Sequence, residues 1–265
     1  MLGAPQRAGC QRPEPSMTAE IERLRALLRG AERILIFTGA GVSTASNIPD
    51  YRGPAGLYRT SQPVYFEAFL ASEPARKSYW RMKCDGYRAF ADARPNPAHL
   101  AIVELERRQR VESVVTQNID GLHRVAGTSK ERLIELHGTA LEVDCVDCAA
   151  REPPARAIAE FEHSGEPPRC AACGGLLKPA VIMFGQPLRA VDVERAERAA
   201  LAADLVLSLG SSLVVRPAAD IPLLAARRGV PYVIINQGET PHDAEASLRI
   251  DADVSRVLPE ALEGW

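Results

Sequence analysis

Two Cys-x-x-Cys pairs, Cys145-Val146-Asp147-Cys148 and Cys170-Ala171-Ala172-Cys173, carry the most specific chemistry in this 265-residue sequence. Each pair presents two sulfurs to one ion, and four thiolates complete the tetrahedral shell that zinc prefers. With all four positions filled by protein no place is left for a water, so the metal would be structural. Two disulfides are the competing reading, although nothing else in the chain points to secretion. Cys10 and Cys84 have no partner at ligand spacing and read as free thiols.

A second chemistry is suggested where the apolar run Ile34-Leu35-Ile36-Phe37 opens into Thr38-Gly39-Ala40-Gly41-Val42-Ser43. Glycines there let bare backbone approach a phosphate, and a helix following the turn would aim its free N–H groups at it. The third glycine of the dinucleotide fingerprint is missing and no acid stands at the ribose distance, so an ordinary strand-to-helix turn explains the same residues. Next comes Ile48-Pro49-Asp50-Tyr51-Arg52-Gly53-Pro54, in which Arg52 could pair with phosphate and Tyr51 could cover a ring. A surface turn with an ion pair is the alternative.

Gln117, Asn118, Ile119 and Asp120 follow the apolar Val114-Val115, and such amides and acids suit ribose hydroxyls and a carboxamide. Gly210-Ser211-Ser212 follows Leu205 to Leu209, and Asn236-Gln237-Gly238 follows Tyr232 to Ile235. Among five histidines, His137 ends the alternation Leu133 to Leu136 and is the candidate general base. A satisfied or solvated side chain is its bland reading.

Four apolar strands that each end in polar or glycine-rich residues require an α/β fold whose strand ends meet, a doubly wound (Rossmann-like) parallel sheet. The sheet domain is read at 17–57, 98–140 and 176–265. A helical insert at 58–97 and the zinc-binding insert at 141–175 would form a small domain, with a ligand cleft between the two. Thr18 is a good N-cap for a first helix, Asn96 caps another, and Val254, Val257, Leu258 and Leu262 suit a closing helix. Residues 1–16 read as a disordered leader, rich in Pro, Gly and Arg without an apolar signal region, and Met17 is an alternative start. A 46% hydrophobic composition, 25% charged residues and a net charge of −2 suit a soluble enzyme. No apolar run could span a membrane. The rival, a nucleic-acid-binding zinc ribbon, would need basic residues around its cysteines, but Arg151, Arg156 and Arg169 are interleaved with Glu152, Glu160, Glu162 and Glu166.

In their order these segments resemble the sirtuin family of NAD-dependent protein-lysine deacylases, from about Ile21 onward. The resemblance also rests on Lys178-Pro179, Phe184-Gly185 and Gly210-Ser211-Ser212-Leu213. It implies that NAD is consumed as co-substrate and that the acyl oxygen of a modified lysine attacks the carbon bearing nicotinamide. His137 would then deprotonate a ribose hydroxyl, and the products would be nicotinamide, free lysine and O-acyl-ADP-ribose. Asn118 and Asp120 would orient ribose and nicotinamide, while Gly39, Ala40, Gly41, Ser43, Asp50, Tyr51 and Arg52 would hold the rest of NAD with Gln117, Ile119, Gly210, Ser211, Ser212, Asn236, Gln237, Gly238 and Ala252. The implied partner is an acyl-lysine protein bound as an extended peptide between Ile182 to Gly185 and Leu213 to Arg216. Protein ADP-ribosyl transfer and NAD hydrolysis on the same fold are the alternatives.

Asn47 stands where the family usually has glycine, Gln186 where it often has glutamate and Tyr51 where it often has phenylalanine; Asn tolerates the positive φ such a turn needs. Gly56-Leu57-Tyr58-Arg59 and Ser78-Tyr79-Trp80-Arg81 look closest to the class II branch. Desuccinylase relatives carry a tyrosine and an arginine three positions apart. Here Met82 is three after Tyr79 and Arg81 only two, so no strong succinyl preference is expected and a longer neutral or branched acyl chain stays open. Tyr65, Phe66, Phe69 and Trp80 read as core packing or as acyl-pocket lining. An arginine-rich, lysine-poor sequence suggests a bacterial cytoplasm, or alternatively a mitochondrial matrix. Oligomeric state stays open.

Overall fold

The computed structural model describes residues 16–51, 53, 56 and 62–265. The leader up to residue 15, Arg52 and Leu57-Tyr58-Arg59 lie outside the described residues.

Strands run Ile34–Thr38 (β1), Val111–Thr116 (β2), Leu133–Glu135 (β3), Gly138–Cys145 (β4), Arg151–Glu152 (β5), Leu177–Val181 (β6), Leu205–Leu209 (β7), Tyr232–Ile235 (β8) and Leu248–Ile250 (β9). Six of them form a parallel sheet in the order β3-β2-β1-β7-β8-β9. Successive strands run outward in both directions from β1 and β7, so the chain reverses its direction of travel between those two. That switch point is where loops diverge and leave a crevice at the carboxyl ends of the strands. The doubly wound expectation therefore holds.

Both faces of the sheet are covered, which is why its central strands β1 and β7 are buried at every position and mostly apolar. Ile34 and Ile36 face one core with Val114, Leu207 and the apolar sides of helices Met17–Gly30 (α1), Pro97–Arg107 (α4) and Val254–Leu262 (α9). Leu35 and Phe37 face the opposite core with Val115, Val206, Ile234 and helices Ala190–Ala202 (α7) and Asp220–Ala226 (α8). Helix α1 begins at Met17 with Ser16 as its cap, accepting from the Ala19 amide at 3.4 Å, so Thr18 lies inside the first turn rather than capping it. Asn96 caps α4 as its position suggests.

Helices Phe66–Ala71 (α2), Glu73–Asp92 (α3) and Ala155–Ser164 (α6) pack with the antiparallel sheet β5-β4-β6 into a second, smaller core. It contains Phe69, Tyr79, Trp80, Phe161, Val143, Leu177, Met183 and two of the motif cysteines, Cys145 and Cys170. Trp80 fills its centre and donates Nε1–H to the Leu177 carbonyl at 3.1 Å. Because β4 starts at Gly138 and β6 ends at Val181, this sheet reaches past residues 141–175 on both sides. Those two crossings join the small domain to the strand ends of the large one.

Candidate functional site

The loops that leave β1 and β7 interlock. Gly39 and Gly41 donate their amides to the carbonyls of Leu209 and Gly210 at 3.0 and 2.8 Å. A Cβ on Gly41 would lie 2.9 Å from the Gly210 Cα, and one on Gly210 only 2.4 Å from the Val42 nitrogen. The glycines are therefore required by backbone meeting backbone at the switch point. The amides of Gly39 and Gly41 are therefore not free. Nor does an α-helix follow β1: two short 3-10 turns, Ala40–Val42 and Thr44–Ser46, take its place. The second ends on Asn47 at φ 62°, the left-handed conformation expected of it. Asn96 holds these turns from behind, donating to the Val42 carbonyl at 2.8 Å and to Ser46 Oγ at 2.9 Å.

At the end of β2 the side chains are locked to the same loop. Asn118 Nδ2 donates to the Gly39 carbonyl at 3.1 Å and to Ser43 Oγ at 3.2 Å. The Ser43 hydroxyl donates to Asp120 Oδ2 at 2.7 Å, and the Leu122 amide donates to Asp120 Oδ1 at 2.8 Å. Burial raises the Asp120 pKa against the pull of those two donors. Ser43 and Asp120 thus form a layer behind the exposed wall. Gln117 Nε2 donates to Ser211 Oγ at 2.9 Å and ties the β2 end to the β7 end.

His137 sits between the two domains. Its Nδ1 lies 3.0 Å from the Gln117 carbonyl, which can only accept, so the neutral ring carries its proton on Nδ1 and its lone pair on Nε2. Gly138, at φ 75°, lets the chain turn directly into β4, since a Cβ there would lie 2.0 Å from the Ala180 carbonyl oxygen. The His137 carbonyl accepts from the Ile182 amide at 2.9 Å.

These groups line one cleft of about 1210 Å³ between the domains. Gly39, Ala40, Gly41, Asp50, Tyr51, Gln117, Asn118, Ile119, His137, Gly210, Ser211, Ser212, Asn236 and Gln237 all reach it. So do Ile182 to Gly185 on one side and Val215 and Arg216 on the other. Gly238 and Ala252 are not on its wall; Ala252 packs against the large core instead. Arg52 lies outside the described residues. Tyr65, 55% exposed, stacks on Phe184 at 5.8 Å and belongs to neither the core nor the cleft wall, whereas Trp80 belongs to both.

Residues missed in the sequence complete the support. Thr38 Oγ1 donates to Thr116 Oγ1 at 2.7 Å and lies 2.9 Å from His123 Nε2, and Thr116 Oγ1 accepts from the Asn118 amide at 3.0 Å. A threonine at the last position of each of two neighbouring strands was the available signal.

The four cysteine sulfurs lie within 4.8 Å of one another. The closest pairs, Cys145 with Cys173 and Cys148 with Cys170, are 3.5 and 3.7 Å apart. A tetrahedral zinc with bonds of about 2.3 Å sets its sulfurs about 3.8 Å apart, whereas a disulfide needs about 2.05 Å, so the arrangement fits one zinc ion.

The Sir2 family model matches residues 39–217. An NAD-dependent protein deacetylase of Rhodopseudomonas palustris is 39% identical over 244 residues, covering 92% of this chain and 96% of the relative. A Sir2 structure with p53 peptide and NAD+ aligns at a TM-score of 0.84 and 36% identity, covering 92% of this chain and 97% of that one. Another, with a deacetylated p53 peptide and 3′-O-acetyl ADP-ribose, aligns at 0.85 and 36%, with the same coverage. On that match, which spans more than half of its length, this chain belongs to the Sir2 family.

Proposed function

We propose that this protein removes acyl groups from lysine side chains of proteins with consumption of NAD, releasing nicotinamide, free lysine and O-acyl-ADP-ribose. The observation that carries this reading is His137, held by the Gln117 carbonyl at 3.0 Å in the tautomer whose Nε2 can take a proton, in one cleft with Gln117 and Asn118. NAD supplies a carbon with nicotinamide as its leaving group. The protein's share is positioning and proton transfer. His137 Nε2 takes a proton from a ribose hydroxyl. Asn118, fixed through Gly39 and Ser43, presents its remaining amide capacity to the ribose side of the cleft. Ser43 and Asp120 act behind Asn118 as its support. The loops at 182–185 and 213–216 offer backbone to an extended acyl-lysine peptide. Zinc at Cys145, Cys148, Cys170 and Cys173 holds the small domain together and takes no part in the reaction. No described helix is long and apolar enough to cross a membrane.

The test is mass spectrometry of the protein with NAD and a panel of acyl-lysine peptides, following nicotinamide and O-acyl-ADP-ribose together. An acyl-ADP-ribose product that depends on peptide is the expected result. Nicotinamide without an acyl product would replace deacylation by ADP-ribosyl transfer or NAD hydrolysis.

A further inference from the structure

At the end of β8 the chain turns through Asn236, Gln237 and Gly238, the last at φ 86°. Asn236, Gln237 and Glu239 line the cleft. Asn236 Nδ2 donates to the carbonyls of Gln237 and Gly238 at 3.0 and 2.9 Å. Carbonyls can only accept, so the nitrogen of the carboxamide must face them, and both its hydrogens are spent there. What Asn236 keeps for a ligand is Oδ1, an acceptor and nothing else.

Three successive residues, Arg249, Ile250 and Asp251, hold this arrangement from the β9 side. The Ile250 carbonyl accepts from the Asn236 amide at 3.2 Å, and Asp251 Oδ1 accepts from the Gly238 amide at 3.2 Å. Arg249 Nη2 donates to the Gly238 carbonyl, the same oxygen that receives Asn236 Nδ2. Two carboxylates fix the guanidinium, with Asp243 3.3 Å from Nε and Asp251 3.6 Å from Nη2. Asp243 in turn accepts from the Thr240 amide and hydroxyl at 3.1 and 2.6 Å, so the loop from Asn236 to Asp243 closes back on the arginine. With Asn236 and Arg249 both donating to it, the Gly238 carbonyl has its two lone pairs filled and sets the direction of the carboxamide. Arg249 itself is not on the cleft wall.

His137 follows β3 and Asn236 follows β8, four inter-strand steps away across the sheet. At about 4.8 Å per step their strand ends stand about 19 Å apart, so a group that meets Asn236 lies far from the carbon that reacts beside His137. The adenosine half of NAD carries ribose hydroxyls and an amino group, the donors that Oδ1 needs.

We propose that Arg249 is a positioning residue for the co-substrate: through the Gly238 carbonyl it holds Asn236 Oδ1 ready to accept from a hydroxyl or amino group of the adenosine half of NAD. This inference rests on the deacylase reading given above. Arg249 then governs the binding of NAD and leaves the chemical step alone, and Gly238 is the link between the two side chains rather than a ligand contact.

Steady-state kinetics with one acetyl-lysine peptide test the proposal. For Arg249→Met, KM for NAD should rise about fivefold or more, the loss usual for one hydrogen bond, while kcat at saturating NAD and KM for the peptide hold steady. Arg249→Lys, which keeps a charged donor, should recover most of the affinity. With the carboxamide removed by Asn236→Ala, adding Arg249→Met should weaken NAD little further, because the arginine acts through the asparagine. An NAD KM unmoved by Arg249→Met, a fall in kcat together with a rise in both KM values, or additive effects in the double variant overturns the proposal. Calorimetric titration with ADP-ribose separates it from the parent reading, because no turnover is needed. If the peptide is not deacylated but ADP-ribose binding still weakens in Arg249→Met, the positioning role stands and the deacylase reading falls. ADP-ribose binding that is indifferent to Arg249→Met refutes the role.

Discussion

Gly41 donates its amide to the Gly210 carbonyl at 2.8 Å, and the two residues leave each other no room for a side chain. Gly210 is also at φ 56°, where a side chain is strained even in open space. Gly210→Ala must therefore push the β7 loop away from the β1 loop or distort both. Strain of this kind costs about 1–3 kcal/mol. Urea denaturation should show a loss of at least that size, and calorimetry should show weakened NAD binding, because Asn118 and Ser211 are hung from the same two loops. A variant that keeps wild-type stability would mean that the loops have room the geometry denies them.

The Gln117 carbonyl makes a separate prediction about His137. Removing the imidazole leaves the carbonyl and the cleft in place, so His137→Ala should lose about 10²–10⁴-fold in kcat while NAD binding changes little. Single-turnover measurements beside an NAD titration resolve the two. Equal losses in both would make His137 a binding residue and remove it as the base.

Withdrawing zinc should collapse the small domain rather than only its ribbon. Cys145 and Cys170 belong to the same core as Trp80, so the metal site and the hydrophobic core stand or fall together. Of the two tryptophans in the sequence, Trp80 is fully buried there. A strong chelator should shift tryptophan emission to the red and abolish activity, with recovery on adding Zn²⁺ but not Mg²⁺. Trp80→Phe should lose most of the emission change, which assigns the signal to the small domain.

Much of this was legible in the sequence because the signals are local. The cysteine pairs, the amides and acid after β2, and the apolar strands each lie within ten residues. What was not legible depends on contacts between distant segments. The packing of Gly39 and Gly41 against Gly210 was hidden because nothing near them in the chain shows it. Thr38 and His123 are 85 positions apart, and only the folded sheet brings them to 2.9 Å. Thr18 was read as the cap in place of Ser16, which differs from it only in where the first turn begins.

The pair His99 and His123 predicts how stability depends on pH. Their rings meet edge to face at 5.0 Å behind the cleft, both fully buried. The Asn96 amide donates to His99 Nδ1 at 3.4 Å, so that nitrogen carries no proton. His99 Nε2 and His123 Nδ1 have no hydrogen-bond partner among the described residues. Burial pushes His99 down to about 4; burial, and then His99 itself, push His123 down to about 3. Both therefore stay neutral in the fold at a pH where the unfolded chain, with histidines near 6.5, already binds protons. Stability is fully present above about pH 6.5 and falls as pH drops toward 4, at roughly 1.4 kcal/mol per pH unit for each histidine. Acid also strips metal from the cysteines, so the useful quantity is the difference between wild type and His123→Asn. Denaturation curves from pH 7 to 5 should show a shallower decline for the variant, by one proton's worth of slope. Parallel declines would mean that His123 is already solvated or charged in the native protein, and the link from Thr38 through Thr116 to Asn118 would then lack the neutral histidine that closes it.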